Sequence, residues 1–310
     1  MTGPRRFGVV GVGGGVAPRH LDAIVASGGM VTSALDPSDS VGVLDRFAPD
    51  AAFFVDPERF AAHLESTGAI DWLAVCSPND LHDRHCRLGL EHGVDVLCEK
   101  PIVLAPDDLS PLQELEARTG RRIWTVLQLR TDEHLEALRR RLAPEGSAHR
   151  HEVSLTYVTA RGRWYDTSWK GDIARSGGLS VNIGVHMFDL LLWLFGPLVD
   201  QQVHLRGPRR MAGVIELARA RVRWFLSVEA DDVPAGQRAR GERTFRILDV
   251  DGERLEISRS FTDLHRRVYE RTLAGTGFGI DVARSSIDLA HRVRTGALRA
   301  GTGDRHELLR

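Results

Sequence analysis

The first 36 residues set a short apolar strand, a run of glycines, an amphipathic helix and a second apolar strand directly in succession. Few folds begin this way. Residues 5–11, RRFGVVG, read as a buried strand and VGGGV as a turn. Residues 17–29, APRHLDAIVASGG, place Leu21, Ile24 and Val25 at helical spacing and stop at Gly28-Gly29. MVTSALD (30–36) is the next strand. A strand, a crossover helix and a strand imply parallel pairing, and the alternation continues. IDWLAVCSP (70–78), VDVLCEKP (94–101) and RIWTVLQLR (122–130) read as strands, with helices over 80–93 and 108–120 between them. The expectation is a parallel sheet covered on both faces by helices.

The texture changes after about residue 148. HRHEVSLTYVTARG, VDQQVHLRG, RVRWFLSVEA, RTFRILDVDG and ERLEISRSF are strand-like runs with one strong helix among them. That pattern suits a second, mostly antiparallel sheet with one packed face. Residues 281–310 look helical and polar. The expected organisation is an α/β chain with two domains. A doubly wound domain occupies 1–128, and an α+β domain with a large antiparallel sheet, for substrate binding and oligomerisation, occupies 129–310.

Composition excludes some functions. The chain has 310 residues, and its 41 Lys+Arg against 42 Asp+Glu give a net charge of −1. A nucleic-acid binder relying on a broadly basic surface would not be balanced in this way. Cys76, Cys86 and Cys98 have no CxxC spacing, so reduced cytosolic thiols are expected and no metal site. No apolar run reaches the roughly 18 residues of a membrane helix. Arg5-Arg6-Phe7 before an apolar stretch resembles a twin-arginine export signal, yet the same residues serve as the first strand. A cytoplasmic protein is expected.

The glycine turn reads Gly11-Val12-Gly13-Gly14-Gly15-Val16-Ala17. It follows a strand and opens a helix, the context in which a dinucleotide pyrophosphate meets a helix N-terminus. Gly11 and Gly13 fit the first two positions of GxGxxG, and Val16 holds the third. Asp36 ends the second strand 25 residues after Gly11, placed to hydrogen-bond a ribose hydroxyl. A carboxylate there repels a 2′-phosphate, so NAD is favoured over NADP. Gly11, Gly13, Gly14, Val16 and Asp36 are the candidate cofactor residues.

Two further segments carry chemistry. Glu99-Lys100-Pro101 sits at the carboxyl end of a parallel strand, where ligands bind in such sheets. In Asn182-Ile183-Gly184-Val185-His186, the asparagine and histidine share one face if the segment is helical. Upstream, residues 161–170 concentrate Arg161, Arg163, Trp164, Tyr165, Trp169 and Lys170, in a chain with 6 Trp and 3 Tyr. Cations grip phosphate or carboxylate, and aromatic faces stack on flat rings. Gln128 and Arg130 leave a strand end at the cofactor edge and are candidate sugar contacts.

Together, GVGGGVAPRHLDAI, ALDPS, CSPNDLH, EKP and SGGLSVNIGVHMFD resemble the glucose–fructose oxidoreductase/inositol dehydrogenase family of NAD(P)-dependent sugar and cyclitol oxidoreductases. The resemblance covers nearly the whole chain. It implies that Lys100 and His186 are the catalytic pair. It also implies that Ser77, Pro78, Asn79 and His82, with Glu99 and Lys100 of the EKP turn, line the cofactor. Many members carry Asp where this chain has Asn182, and an amide cannot raise the basicity of a neighbouring histidine as a carboxylate does.

APRHLDAI, TVLQLR, TARGRWYDTSWKGD and RSGGLSVNIGVHMFD look more narrowly like the bacterial UDP-N-acetyl-glucosaminuronate 3-dehydrogenases, which share the asparagine. That likeness implies oxidation of a sugar's carbon-3 hydroxyl during synthesis of diacetamido-uronic acids for surface polysaccharide. It further implies a UDP-sugar substrate, with 2-oxoglutarate a candidate hydride acceptor, and a homodimer or homotetramer. The alternatives are the same chemistry on another nucleotide sugar or a cyclitol, or a non-catalytic dinucleotide sensor.

Overall fold

A computed structural model of the chain describes residues 3–67, 69–142, 149–257, 264–299 and 305–309. Two compact units emerge: Met1–Gln128 with Asp263–Arg284, and Leu129–Thr262 with Ser285–Arg310.

The first unit contains β1 (Arg6–Val10), α1 (Ala17–Ala26), β2 (Met30–Leu35), α2 (Val43–Phe47), β3 (Ala52–Phe54), α3 (Pro57–Thr67) and β4 (Trp72–Val75). It continues through α4 (His82–Glu91), β5 (Asp95–Cys98), α5 (Leu109–Thr119) and β6 (Ile123–Thr125). All pairs in its sheet are parallel, in the order β3-β2-β1-β4-β5-β6. This is the doubly wound order whose strand order reverses between β1 and β4, so the crevice for a ligand opens at the carboxyl ends of those strands. The crossover over 43–67, including β3, is not evident from the sequence pattern. AFF offers only three strand residues, and α2 is five residues long.

In the second unit come α6 (Glu133–Leu142), β7 (His151–Thr159), α7 (Trp164–Thr167), α8 (Ile173–Ser176), α9 (Val185–Phe195), β8 (Leu198–Arg206), β9 (Arg210–Leu217) and β10 (Ala220–Ser227). α10 (Ala235–Ala239), β11 (Thr244–Val250) and β12 (Glu253–Glu256) follow. The sheet order is β12-β11-β7-β10-β9-β8. It is mixed: β7 and β10 pair in parallel and the other pairs are antiparallel. β9 escapes the sequence pattern because RMAGVIEL is rich in helix-favouring Met, Ala, Glu and Leu. Pairing on both edges overrides that preference. The end of the run ERLEISRSF lies outside the described residues, as do residues 300–304 and 310.

Two helices depart from the sequence reading. A single cut after residue 128 leaves out α11 (Leu264–Leu273), which returns to the first unit. Its Val268 and Tyr269 join the buried cluster of Phe7, Leu21 and Ile24, with the Phe7 and Tyr269 rings 5.9 Å apart. α12 (Ile280–Thr295) then carries the chain onward and buries Leu289, Ala290 and Val293. The second departure concerns the stretch Ile173–Phe195. By length and composition it could cross a membrane, whereas 72% of its apolar window is buried inside the molecule. It serves as the core helix of the second unit, where Phe188 meets Trp224 edge to face at 5.6 Å. Burial of each such ring contributes about 2–3 kcal/mol.

Candidate active site

The glycine turn is shaped by close backbone approach. Gly11 has φ +83°, and a Cβ there would lie 2.5 Å from the Ser77 amide nitrogen. Its own N–H donates to the Leu35 carbonyl at 2.8 Å, tying β1 to β2. Gly14 N–H bonds the Gly11 carbonyl at 3.0 Å, and Ala17 N–H bonds the Gly14 carbonyl at 3.1 Å, which leads the turn into α1. No side chain caps that helix. A helix that opens on backbone alone, with Pro18 in its first turn, offers a place for a pyrophosphate. Asp36 accepts from Gly13 N–H and Ser38 N–H, both at 2.9 Å, so its carboxylate is fixed over the turn at the end of β2. At the mouth of the turn Gly15 is exposed and Val16 half-buried. These residues fit NAD: a tight glycine cradle, an uncapped helix start and an anchored carboxylate for a ribose.

Around β4 and β5 the candidates divide. Ser77 Oγ shares a hydrogen bond with His85 Nδ1 at 2.8 Å. Asn79 is buried at the head of a 3-10 turn that Pro78 precedes. His82 faces the Pro101 carbonyl at 2.6 Å and the Ser77 carbonyl at 2.8 Å, one at each ring nitrogen. Both nitrogens are therefore occupied, and His82 braces the ends of β4 and β5 instead of presenting a polar atom to a cofactor. Burial lowers its pKa, while the two carbonyls pull the other way. Glu99 also turns inward: His20 Nε2 and His265 Nε2 lie 3.1 and 3.0 Å from its Oε1. Lys100 follows it, half-buried, and its peptide bond to Pro101 is cis.

In the second unit, residues 161–170 form a loop with the short helix α7. Tyr165 is buried, whereas Trp164 is 49% exposed and Arg163 is exposed. Arg161 stands 6.0 Å from the Trp164 ring centroid. Lys170 Nζ lies 5.8 Å from the Trp164 centroid and 5.6 Å from that of Trp169. Burial, then the charge of Arg161, lowers the Lys170 pKa. Sequence reasoning missed Arg209, which organises this loop. It bonds Asp166 at 2.7 Å, Glu229 at 2.9 Å and the Arg161 carbonyl at 2.9 Å, and packs over the Tyr165 ring at 5.7 Å. Nothing near Arg209 in the sequence signals that role, since its partners come from other elements.

The SGG step has a steric cause. Gly177 and Gly178 both have positive φ, +78° and +76°, a pair of conformations that side chains disfavour. The chain then passes through a π turn, Ser180–Gly184, before α9 begins. The helical spacing expected between Asn182 and His186 thus spans a wider turn, a feature frequent at functional sites. Asn182 hydrogen-bonds the Tyr165 hydroxyl, and His186 is half-buried in the first turn of α9. Gln128 is buried in a 3-10 turn of the first unit, not on a strand end. Arg130 makes a bidentate pair with buried Asp189 of α9, at 2.9 and 2.8 Å, so its guanidinium is committed within the protein. Burial raises the Asp189 pKa and Arg130 opposes that shift.

Among the described residues, two groups of donors lie close enough to hold an ion: buried His20, Glu99 and His265, and surface His149, His151 and Asp251. The sequence expectation had no metal site.

Residues 5–127 match the model of the oxidoreductase family with an NAD-binding Rossmann fold, and 146–230 match that family's C-terminal alpha/beta domain. The WlbA (WbpB) dehydrogenase of Thermus thermophilus, solved with NAD and alpha-ketoglutarate, is 48% identical. The alignment covers 98% of this chain and 99% of that one, with a TM-score of 0.94. The chain belongs to this NAD-binding oxidoreductase family. The same Thermus protein, solved with NAD and UDP-GlcNAcA, matches with a TM-score of 0.93. Among curated relatives, D-glucoside 3-dehydrogenase of Escherichia coli (strain K12) is 26% identical over 129 residues, 41% of this chain and 36% of that protein. The chain spans about half or less of the length of the curated relatives it matches. As an oxidoreductase with a Rossmann domain, the chain takes NAD as its cofactor.

Proposed function

We propose that this chain is a dehydrogenase that oxidises the carbon-3 hydroxyl of UDP-N-acetyl-glucosaminuronate to a ketone. The observation that carries the reading is the 48% identity, over 98% of the chain, to a protein solved with NAD and UDP-GlcNAcA. The cluster at 161–170 supports it, because a nucleotide sugar with a diphosphate and a carboxylate needs cations and ring faces. Arg161, Arg163 and Lys170 supply the charge; Trp164, Tyr165 and Trp169 supply the faces. Gln128 and Asn182 contact the sugar. Arg130 acts indirectly, holding Asp189 three residues along α9 from His186.

NAD, when bound to Gly11, Gly13, Gly14, Val16, Asp36, Ser77, Pro78 and Asn79, accepts a hydride. His186 takes the hydroxyl proton, since an imidazole ordinarily titrates at about 6.5, close to working pH. The Lys100 ammonium hydrogen-bonds the oxygen as negative charge develops on it. The enzyme acts in the cytoplasm as a homo-oligomer, a tetramer or dimer, at an early step in making diacetamido-uronic acids for surface polysaccharide.

The test is purified protein incubated with UDP-N-acetyl-glucosaminuronate, with and without 2-oxoglutarate, and the sugar product weighed. Loss of two hydrogens supports the reading. Turnover only in the presence of 2-oxoglutarate identifies that acid as the hydride acceptor. An unchanged sugar mass in both arms, with turnover of another nucleotide sugar or a cyclitol, moves the substrate assignment to that compound.

A further inference from the structure

Four buried polar side chains of the first unit form one hydrogen-bonded cluster behind the EKP turn, and the proposed chemistry leaves them unused. Glu99 Oε1 accepts from His20 Nε2 at 3.1 Å and from His265 Nε2 at 3.0 Å. Its Oε2 accepts from the Lys100 backbone N–H at 3.2 Å. His20 Nδ1 shares a hydrogen bond with the Tyr269 hydroxyl at 2.9 Å. His20 and Tyr269 are 0% and 1% exposed, and His265 is 4% exposed. Three elements converge here: α1, which opens at the dinucleotide turn; the end of β5; and α11, whose His265 and Tyr269 lie four residues apart on one face.

One arrangement of protons satisfies every contact with neutral imidazoles. If each imidazole is neutral and donates from Nε2, the carboxylate is ionised and the Tyr269 O–H donates to His20. Every one of these contacts is then a donor meeting an acceptor. Burial favours neutral His20, and the two imidazole donors hold the Glu99 carboxyl well below its ordinary range despite its burial. Further titratable groups among the described residues that interact with Glu99 include His82, Cys76, Cys98 and Tyr269. Burial pushes each toward its uncharged form. The anion is thus fixed one residue before Lys100. His20 Nε2, His265 Nε2 and Glu99 Oε1 also lie within 4.8 Å of one another, close enough to share an ion. An ion, however, would displace both imidazole N–H donors from a carboxylate they already satisfy.

We propose that His20, Glu99 and His265 are positioning residues that set the orientation and electrostatic environment of Lys100 and couple it to the helix behind the dinucleotide turn. The inference rests on the reading of Lys100 as the group that stabilises the oxyanion.

The chain has only two lysines, Lys100 and Lys170, which makes a direct test simple. The full-length variants His265→Leu, which loses the N–H donor, His265→Gln, which keeps one, and Glu99→Gln are compared with the unaltered protein. Reductive methylation of each lysine is followed by peptide mass across pH, without substrate. The expected result is a changed Lys100 profile in His265→Leu and Glu99→Gln, near restoration in His265→Gln, and an unchanged Lys170 profile throughout. With UDP-N-acetyl-glucosaminuronate, kcat falls by about tenfold in His265→Leu while KM for NAD holds and His265→Gln recovers. An unaltered Lys100 profile in the folded variants overturns the proposal. So does one equivalent of zinc taken up by the unaltered protein and lost in His265→Leu. Because the methylation arm needs no turnover, it decides the proposal even if the sugar substrate is a different one. Should His265→Leu fail to fold, the contrast between Glu99→Gln and the unaltered protein decides the proposal in the same way.

Discussion

The glycine turn of the first unit and the proposed nucleotide-sugar loop of the second are built in opposite ways. Around Gly11, Gly13 and Asp36 the work is done by backbone: a carbon atom added at Gly11 meets the Ser77 nitrogen at 2.5 Å, and the Asp36 carboxylate is pinned by two N–H donors. In residues 161–170 the work is done by side chains, with Trp164 about half exposed and Lys170 lodged against two indoles. A backbone-built site has no slack, so a single methyl is felt in full. A side-chain site divides its affinity among several groups and loses it by degrees.

The largest effect tests the residues that belong to neither style of binding. Lys100→Met and His186→Asn are each expected to lower kcat by about 10²–10⁴-fold while NAD still binds, as read by turnover and by NAD titration. Near-normal turnover in either variant removes that residue from the chemistry. Next comes the contrast within the glycine turn. Gly11→Ala combines a left-handed φ of +83° with a backbone clash, so a loss of about 2–4 kcal/mol is expected. Gly15→Ala, where a Cβ meets nothing within 4 Å, should leave the melting temperature nearly unchanged. Equal effects at the two positions would refute the cradle.

Acid should destabilise both units. Burial lowers the pKa of His85 in the first unit and His306 in the second from 6.5 to about 4. A folded-state pKa below the unfolded value means that the stabilisation is fully present above 6.5 and is lost as pH falls from there toward 4. Each group costs about 1.4 kcal/mol per pH unit across that window, so denaturant midpoints should drop steadily. His85→Gln and His306→Gln should each flatten that slope, and a slope unchanged in both would show that other groups govern acid lability. The smallest effect belongs to the proposed nucleotide-sugar loop. Arg161→Ala and Trp164→Ala should each raise KM for the sugar about tenfold, at nearly constant kcat and NAD affinity. A change in NAD affinity as large as the change in KM would erase the distinction between the two regions.

Much of this was legible in the chain. The strand, glycine turn, helix and Asp36 follow one another within a single βαβ unit, so local pattern is enough to find them. The SGG step and His186 are likewise local. Arg209, α11 and the partners of Glu99 were not legible, because each acts on residues far away in sequence. His20 sits inside a helix already explained by Leu21 and Ile24, and His265 lies 166 residues from Glu99. Arg130 was legible as a residue but not in its role, since its partner Asp189 lies in a helix that reads as uniformly apolar.

What the sequence by itself determined is the opening strand, glycine turn, helix and strand of the first unit, and the later parallel strands with the helices between them. These depend on hydrophobic period and on the backbone freedom of glycine, which are properties of neighbouring residues. Only the tertiary structure decided that Glu99 and His82 face inward, that Arg130 belongs to Asp189, and that Asn182 sits in a π turn against Tyr165. Buried polar groups must find partners wherever the fold supplies them, and no local pattern records which partner that will be.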